Sequence, residues 1–261
     1  MRVGDFVLKR TIGEGAFGYA YYAEHHLLGP DFPACVKKEK TQREPFVSMF
    51  REEARLLAKL THFSLPTLLT YMEEGGDIGQ VMVQSLARGK PLLEVAAQGF
   101  VDDEHILWIM DHILGALSYL HGRWEIVHGD LKPGNALIDI PDHQVTLVDL
   151  GMAVCSPDEF TRAKGGTPGY IPPEFELGMP PIPASDIYSV GKIGVFLAGG
   201  NVEQGTTPLD MDPRIASLLG EMIRRDPTER PQEADALRDR ISELRYQVFA
   251  RCACLEELKR R

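Results

Sequence analysis

Eight consecutive residues carry the densest chemistry in this sequence, His128-Gly-Asp130-Leu-Lys132-Pro-Gly-Asn135. A carboxylate, an ammonium and a carboxamide fall in one short stretch, and Pro133 with Gly134 holds it as a loop. Asp149-Leu-Gly151 follows fourteen residues after Asn135, just past an apolar run. An amide and a carboxylate at the ends of neighbouring strands offer only hard oxygen ligands, which suits Mg²⁺.

Two further groups lie upstream. Gly13-Glu-Gly15-Ala-Phe-Gly18 sits between two strand-like runs. Glycines let a backbone approach a phosphate chain, and their N–H groups can then donate to it. The same spacing fits a hairpin turn or a dinucleotide fold. The dinucleotide version needs a helix directly after the turn, and Tyr19–Tyr22 reads as strand. Ala34-Cys-Val-Lys37 puts a lysine on a short strand, and Glu53 follows sixteen residues later in a helical pattern. Such a lysine can reach phosphate oxygens while the carboxylate holds it in place. Taken singly, both are ordinary solvated charges.

The elements that must position these groups change character along the chain. Extended runs at Phe6–Ile12, Gly18–Glu24, Ala34–Lys37 and Val81–Leu86 surround one helical pattern over 46–60, with Phe50, Ala54, Leu57 and Leu60 on one face. Helical patterns then dominate. Asp102 and Asp103 are N-cap candidates for a helix whose apolar stripe is Ile106, Ile109, Ile113, Leu117 and Leu120. Short strands at Asn135–Asp139 and Gln144–Val148 flank a turn, and Gly165–Pro183 reads as mostly irregular. Further helices are predicted at Asp186–Ala198, Pro213–Arg224 and from Gln232 onward. A strand-rich lobe followed by a helical one is an α+β architecture, with a cleft expected between the lobes.

Composition narrows the partners. A chain of 261 residues exceeds the commonest single-domain size, so one large domain or two apposed lobes is expected. Hydrophobic residues at 44% and charged residues at 25% exclude a disordered or fibrous chain. With 28 Lys and Arg against 38 Asp and Glu, the net charge of −10 argues against nucleic acid. Four cysteines, Cys35, Cys155, Cys252 and Cys254, are too few for a disulfide framework and read as reduced thiols. The N-terminus lacks a signal-peptide core, and no run approaches ~18 apolar residues. A cytoplasmic chain without a membrane partner is the expectation.

In order and spacing these motifs resemble the eukaryotic-like serine/threonine protein kinase superfamily over residues 5–245, and the compact loops are similar to those of bacterial-type members. Gly166-Thr167-Pro-Gly-Tyr170 to Pro172-Pro173-Glu174 resembles the end of an activation segment. Ser185-Asp186 resembles the start of the helix beneath the catalytic loop, and Arg230 the arginine that pairs with Glu174. The resemblance implies a bilobal protein-kinase-like α+β fold. A small β-rich N-lobe with one main helix would occupy 1–87, a larger mostly helical C-lobe 88–245, and a C-terminal helical extension 246–261.

The resemblance also assigns roles. Gly13, Gly15 and Gly18 would cover the ATP phosphates, and Lys37, held by Glu53, would contact them. Ala20 and Cys35 would roof the adenine, with Leu137 as its floor. Asp130 would orient the substrate hydroxyl and take its proton. Lys132 would neutralise charge on the γ-phosphate, Thr167 would hydrogen-bond near both, and Asn135 and Asp149 would hold Mg²⁺, or Mn²⁺ in its place. The implied activity is transfer of the γ-phosphate of ATP to Ser/Thr hydroxyls of a protein substrate. A pseudokinase scaffold and a small-molecule kinase are the competing readings. The retained Lys37, Asp130, Asn135 and Asp149 count against the first, and the Gly166–Glu174 segment counts against the second.

Some positions depart from the family pattern. Gly129 replaces the arginine that usually pairs with an activation-segment phosphate. Phosphorylation of Ser156, Thr161 or Thr167 is therefore not expected to be required, although Arg162 and Lys164 are substitute partners. Ala20 is smaller and Cys35 larger than usual, so the adenine pocket volume is roughly kept. Gly134 and the Ala87–Pro91 stretch carry no acid, which argues against a strongly basophilic substrate preference. Leu237, Ile241, Leu244, Val248, Cys252, Leu255 and Leu258 form a stripe on an expected helix of nearly thirty residues. It would pack on its own lobe in a monomer or serve as a weak homodimer seam.

Overall fold

The computed structural model describes residues 1–15, 18–40, 43–74, 79–99 and 101–250. The chain forms two compact units. The first comprises Met1–Gly89 with Thr146–Met152, and the second Lys90–Val145 with Ala153–Arg261.

The first unit is built on strands β1 (Arg2–Val3), β2 (Phe6–Glu14), β3 (Gly18–His25), β4 (Gly29–Glu39), β5 (Leu68–Glu74) and β6 (Gly79–Ser85), with helix α1 (Phe46–Leu57). The order is β1-β2-β3-β4-β6-β5, every pairing antiparallel. Strand periodicity sorts its residues by face. Ala34 and Val36 of β4 enter an apolar cluster with Val3, Phe6, Ala23, Val81 and Val83. Cys35 and Lys37, one residue out of phase, therefore lie on the opposite face. Their cross-strand partners share that face: Tyr22 and Gln84 beside Cys35, Ala20 and Met82 beside Lys37.

The predicted face of α1 is the buried one: Phe50, Ala54 and Leu57 are all buried, and so is Glu53. Strand β5 was not predicted. Its sequence Leu-Leu-Thr-Tyr-Met-Glu-Glu has no clean alternation, because this edge strand is specified by pairing with β6 and not by two contrasting faces.

The second unit begins with β7 (Lys90–Pro91), the short helix α2 (Leu92–Ala96) and α3 (Asp103–Trp124). Asp102 caps α3, accepting from the His105 amide at 3.0 Å. All five residues of the predicted α3 stripe are buried. After β8 (Ile126–Val127), the loop from His128 ends in a 3₁₀ turn at Pro133–Asn135 and enters β9 (Ala136–Asp139), which pairs with β7. Strand β10 (Gln144–Leu147) leads back to the first unit, and β11 (Val154–Cys155) pairs with β8.

The remaining helices are α4 (Pro173–Glu176), α5 (Pro183–Leu197), α6 (Pro213–Met222) and α7 (Ala234–Phe249). The stretch 165–183, read as mostly irregular, thus contains the short α4. Helix α5 starts three residues earlier than predicted, because Pro183 fits the first turn, where no amide donor is needed. The long C-terminal helix is also corrected. Helix α7 stops at Phe249, where Ala250 adopts a left-handed φ of 52° that ends the hydrogen-bond ladder. Leu237 and Ile241 are buried, and Arg238 of α7 binds Asp111 of α3 at 3.0 Å, so this part of the stripe packs on its own unit. Cys252, Cys254, Leu255 and Leu258 lie outside the described residues. Among the described residues, no helix is long and apolar enough to cross a membrane.

Candidate active site

In the first unit the glycine-rich turn closes the β2–β3 hairpin, with the Gly15 amide donating to the Gly18 carbonyl at 2.9 Å. Ala16 and Phe17 lie outside the described residues. Gly18 is required by close approach: a Cβ there would stand 2.4 Å from the Lys38 carbonyl oxygen. Gly13 pairs with Ala20 across the hairpin.

Lys37 projects from β4, and its Nζ lies 2.5 Å from Glu53 Oε1 on α1 and 3.1 Å from Asp149 Oδ1. Burial alone would lower the Lys37 pKa, but the carboxylates of Asp149 and Glu53 outweigh it and hold the ammonium above its usual range. Burial pushes the Glu53 carboxyl up, opposed by the Lys37 ammonium. The Leu150 backbone also hydrogen-bonds Glu53, tying the Asp149-Leu-Gly segment to α1. Asp149 sits at φ 70°, a left-handed conformation that only short polar side chains and glycine adopt readily. Cys35 is buried, and burial pushes its thiol up to about 11. It is therefore a neutral packing group, as its sequence context indicates.

In the second unit Asp130, Lys132, Thr167 and Asn135 converge although they span 37 positions. The Thr167 hydroxyl donates to Asp130 Oδ1 at 2.7 Å. Lys132 Nζ donates to Asp130 Oδ2 and to Thr167 Oγ1, both at 2.8 Å. Asn135 Nδ2 donates to the Asp130 carbonyl at 2.9 Å. That bond commits the amide nitrogen and leaves the amide oxygen as the ligand-type atom. Leu137 lies half-buried on β9, opposite Pro91.

Buried polar groups fix this loop from below. Asp186 of α5 accepts from the backbone amides of His128 at 2.8 Å and Gly129 at 3.0 Å, and lies 2.8 Å from His121 Nε2. Burial would raise the Asp186 pKa, but the His121 hydrogen bond, the nearby histidines and the Gly129 amide hold it below the usual carboxylate range. Gly129 turns left-handed at φ 78°, which lets two successive amides point at one carboxylate. The Glu174–Arg230 pair expected from the resemblance is present, bidentate at 2.7 and 2.8 Å. Its remaining partners are the Ser185 hydroxyl on Glu174 and the carbonyls of Ala184, Arg224 and Arg225 on Arg230.

Sequence reasoning missed His121. Its only signal is a third histidine, after His105 and His112, near the end of α3, which does not announce a partner 65 residues away. Thr161, weighed as a modification site, is engaged by Asp158 through both its side chain and its backbone amide.

A family model described as protein kinase domain matches residues 6–205. The chain is 30% identical to serine/threonine-protein kinase PknA of Mycobacterium tuberculosis (strain ATCC 25618 / H37Rv), over 93% of this chain and 62% of that protein. It is 28% identical to serine/threonine-protein kinase PknA of Nostoc sp., over 85% of this chain and 44% of that protein. It is also 28% identical to serine/threonine-protein kinase B of Synechocystis sp., over 85% of this chain and 43% of that protein. The chain thus spans less than two thirds of the length of each. A match that takes in every motif from the glycine-rich turn to Asp186, on a strand-rich unit and a helical unit, establishes that this chain belongs to the protein kinase domain family and has its α+β bilobal fold.

Proposed function

We propose that the chain transfers the γ-phosphate of ATP to serine or threonine hydroxyls of a protein substrate. The observation that carries this reading is the Asp130–Lys132–Thr167 triangle, in which one carboxylate accepts from a hydroxyl while an ammonium donates to the same hydroxyl oxygen. A site with that polarity can hold an acceptor hydroxyl, take its proton on Asp130 and balance phosphoryl charge with Lys132. The relatives' names as serine/threonine-protein kinases support the same acceptor class.

Residues 1–87 are assigned to the N-lobe, 88–245 to the C-lobe and 246–261 to a C-terminal extension. In the N-lobe, Gly13, Gly15, Gly18 and Lys37 serve the nucleotide phosphates, Glu53 orients Lys37, and Ala20 and Cys35 face the base. Leu137 is assigned to the base as well. The donor set fits a divalent cation: the Asn135 amide oxygen, with its nitrogen committed to Asp130, and the Asp149 carboxylate are both hard oxygen ligands. When bound, Mg²⁺, or Mn²⁺ in its place, would neutralise charge on the phosphates.

The test is phosphate transfer from labelled ATP to a protein panel, followed by identification of the phosphorylated amino acid, with Asp130→Ala as control. Labelled phosphoserine or phosphothreonine that vanishes in the control is expected. Tight ATP binding without transfer would favour a scaffold, and transfer only to metabolites a small-molecule kinase.

A further inference from the structure

Helix α1 is gripped at its first turn by side chains that the chemistry above does not use. Gln80 stands opposite Glu73 in the β5–β6 ladder, and Tyr71 stands opposite Met82. Met82 is in turn opposite Lys37, so by strand alternation Tyr71, Glu73 and Gln80 share the lysine-bearing face of the sheet. Helix α1 lies over that face, where its Glu53 meets Lys37.

Gln80 is 5% exposed. Its Nε2 donates to the Val47 carbonyl in the first turn of α1 at 3.3 Å. A carbonyl can only accept, so that contact fixes the amide and turns Oε1 toward Tyr71. The Tyr71 hydroxyl donates to this oxygen at 2.5 Å and lies 3.0 Å from Glu73 Oε1. Burial holds the Tyr71 phenol above its usual pKa range, so it keeps the proton it donates. Arg51, one turn on from Val47, hydrogen-bonds the same hydroxyl and donates from Nε to Glu73 at 3.1 Å. The Arg51–Glu73 ion pair is exposed and contributes little by itself. The directional hold on the helix is the chain from Tyr71 through Gln80 to Val47.

We propose that Tyr71 and Gln80 are positioning residues for the nucleotide phosphates, acting through α1 to hold Glu53 on Lys37. This rests on the ATP reading above. The buried contacts of Phe50, Ala54 and Leu57 draw the helix into its unit but are non-directional, so they leave its rotation and axial position poorly fixed. Pro45, at the cap position, supplies no side-chain acceptor to this end of the helix. A hydrogen bond to a helix carbonyl sets rotation and axial position together. Val47 and Glu53 lie under two turns apart on one helix, so a slip at the first turn reaches Glu53. Without Glu53 in place, the Lys37 ammonium leaves the position from which it meets the phosphates.

The experiment titrates the whole chain, with Mg²⁺ present, against ATP and against adenosine, which lacks the phosphates. Tyr71→Phe combined with Gln80→Met keeps the volume and removes the chain of hydrogen bonds. ATP binding is expected to weaken about tenfold, with adenosine binding unchanged. The same pair of changes made in Glu53→Gln is expected to cause no further loss, because the residue they act through is already disabled. Equal weakening of ATP and adenosine overturns the proposal, since it marks a general loosening of the unit. So does an undiminished loss in the Glu53→Gln background, or ATP binding that does not change. Should urea unfolding show that the double variant does not fold, Tyr71→Phe alone carries the same comparisons, with an expected loss of about threefold. The two levels separate at Glu53: ATP binding undiminished in Glu53→Gln overturns this proposal alone, whereas a native chain that binds no ATP overturns the ATP reading and the proposal with it.

Discussion

At the scale of single residues, the two halves of the chemistry separate cleanly. Lys37 is bound to Glu53 and Asp149, whereas Asp130 is bound to Lys132 and Thr167. Lys37→Met should lower transfer by about 100- to 1,000-fold with weakened ATP binding, the usual loss when one preorganised charge is removed. Asp130→Asn should lower transfer by about 100- to 10,000-fold while ATP affinity stays near native, because it removes the proton acceptor. Steady-state transfer paired with equilibrium nucleotide binding distinguishes the two, and loss of ATP binding in Asp130→Asn would contradict the assignment. Gly129 has no side chain to receive a phosphate, and Thr161 is held by Asp158. Thr161→Ala is therefore expected to retain near-native activity; an inactive variant would show that a modified Thr161 orders the segment through Arg162 or Lys164.

At the scale of elements, two buried polar networks hold α4, α5 and the His128–Asn135 loop in register. Glu174 and Arg230 are both fully enclosed, and every donor and acceptor between them is engaged. Arg230→Met leaves a buried carboxylate without its counterion and should destabilise the chain by about 3–5 kcal/mol. Urea unfolding measures this, and Glu174→Gln combined with Arg230→Met should recover part of the loss. Asp186 gives a pH signature. Its folded pKa lies below that of an unfolded aspartate, so its contribution is present above the unfolded pKa, near 4. It is lost as pH falls below that value through the lower folded one. The urea midpoint of the native chain should fall more steeply between about pH 5 and pH 2 than that of Asp186→Asn. Parallel curves would mean that other carboxylates set the acid limit.

Legibility at this scale followed burial. Helices α1 and α3 were readable because one face is apolar at helical spacing and the structure buries that face. Strand β5 was not, since its pairing with β6 is a long-range choice that leaves little mark on its own residues. The end of α7 was misjudged because the apolar spacing continues past Phe249, while the backbone turns left-handed at Ala250.

At the scale of the whole molecule, the residues proposed to serve the phosphates, Gly13, Gly15, Gly18 and Lys37, belong to one compact unit, and those proposed to handle the acceptor hydroxyl, Asp130, Lys132 and Thr167, to the other. A ligand that engages the folded chain raises its stability by mass action. ATP with Mg²⁺ at about one hundred times its Kd should add about 2.7 kcal/mol. A thermal melt should show the rise, and chelation of the metal should reverse most of it. An ATP-dependent shift that survives chelation would remove Asn135 and Asp149 from the metal assignment.

The sequence by itself determined the family, the order of the motifs and most residues assigned to chemistry. These are carried by short runs such as His128–Asn135, whose spacing is covalent and cannot be rearranged by folding. Only the tertiary structure decided which distant groups meet, such as His121 with Asp186 and Leu150 with Glu53. The reason is physical. A buried polar group is defined by what lies across from it, and that partner comes from another strand or helix whose position the local residues do not encode.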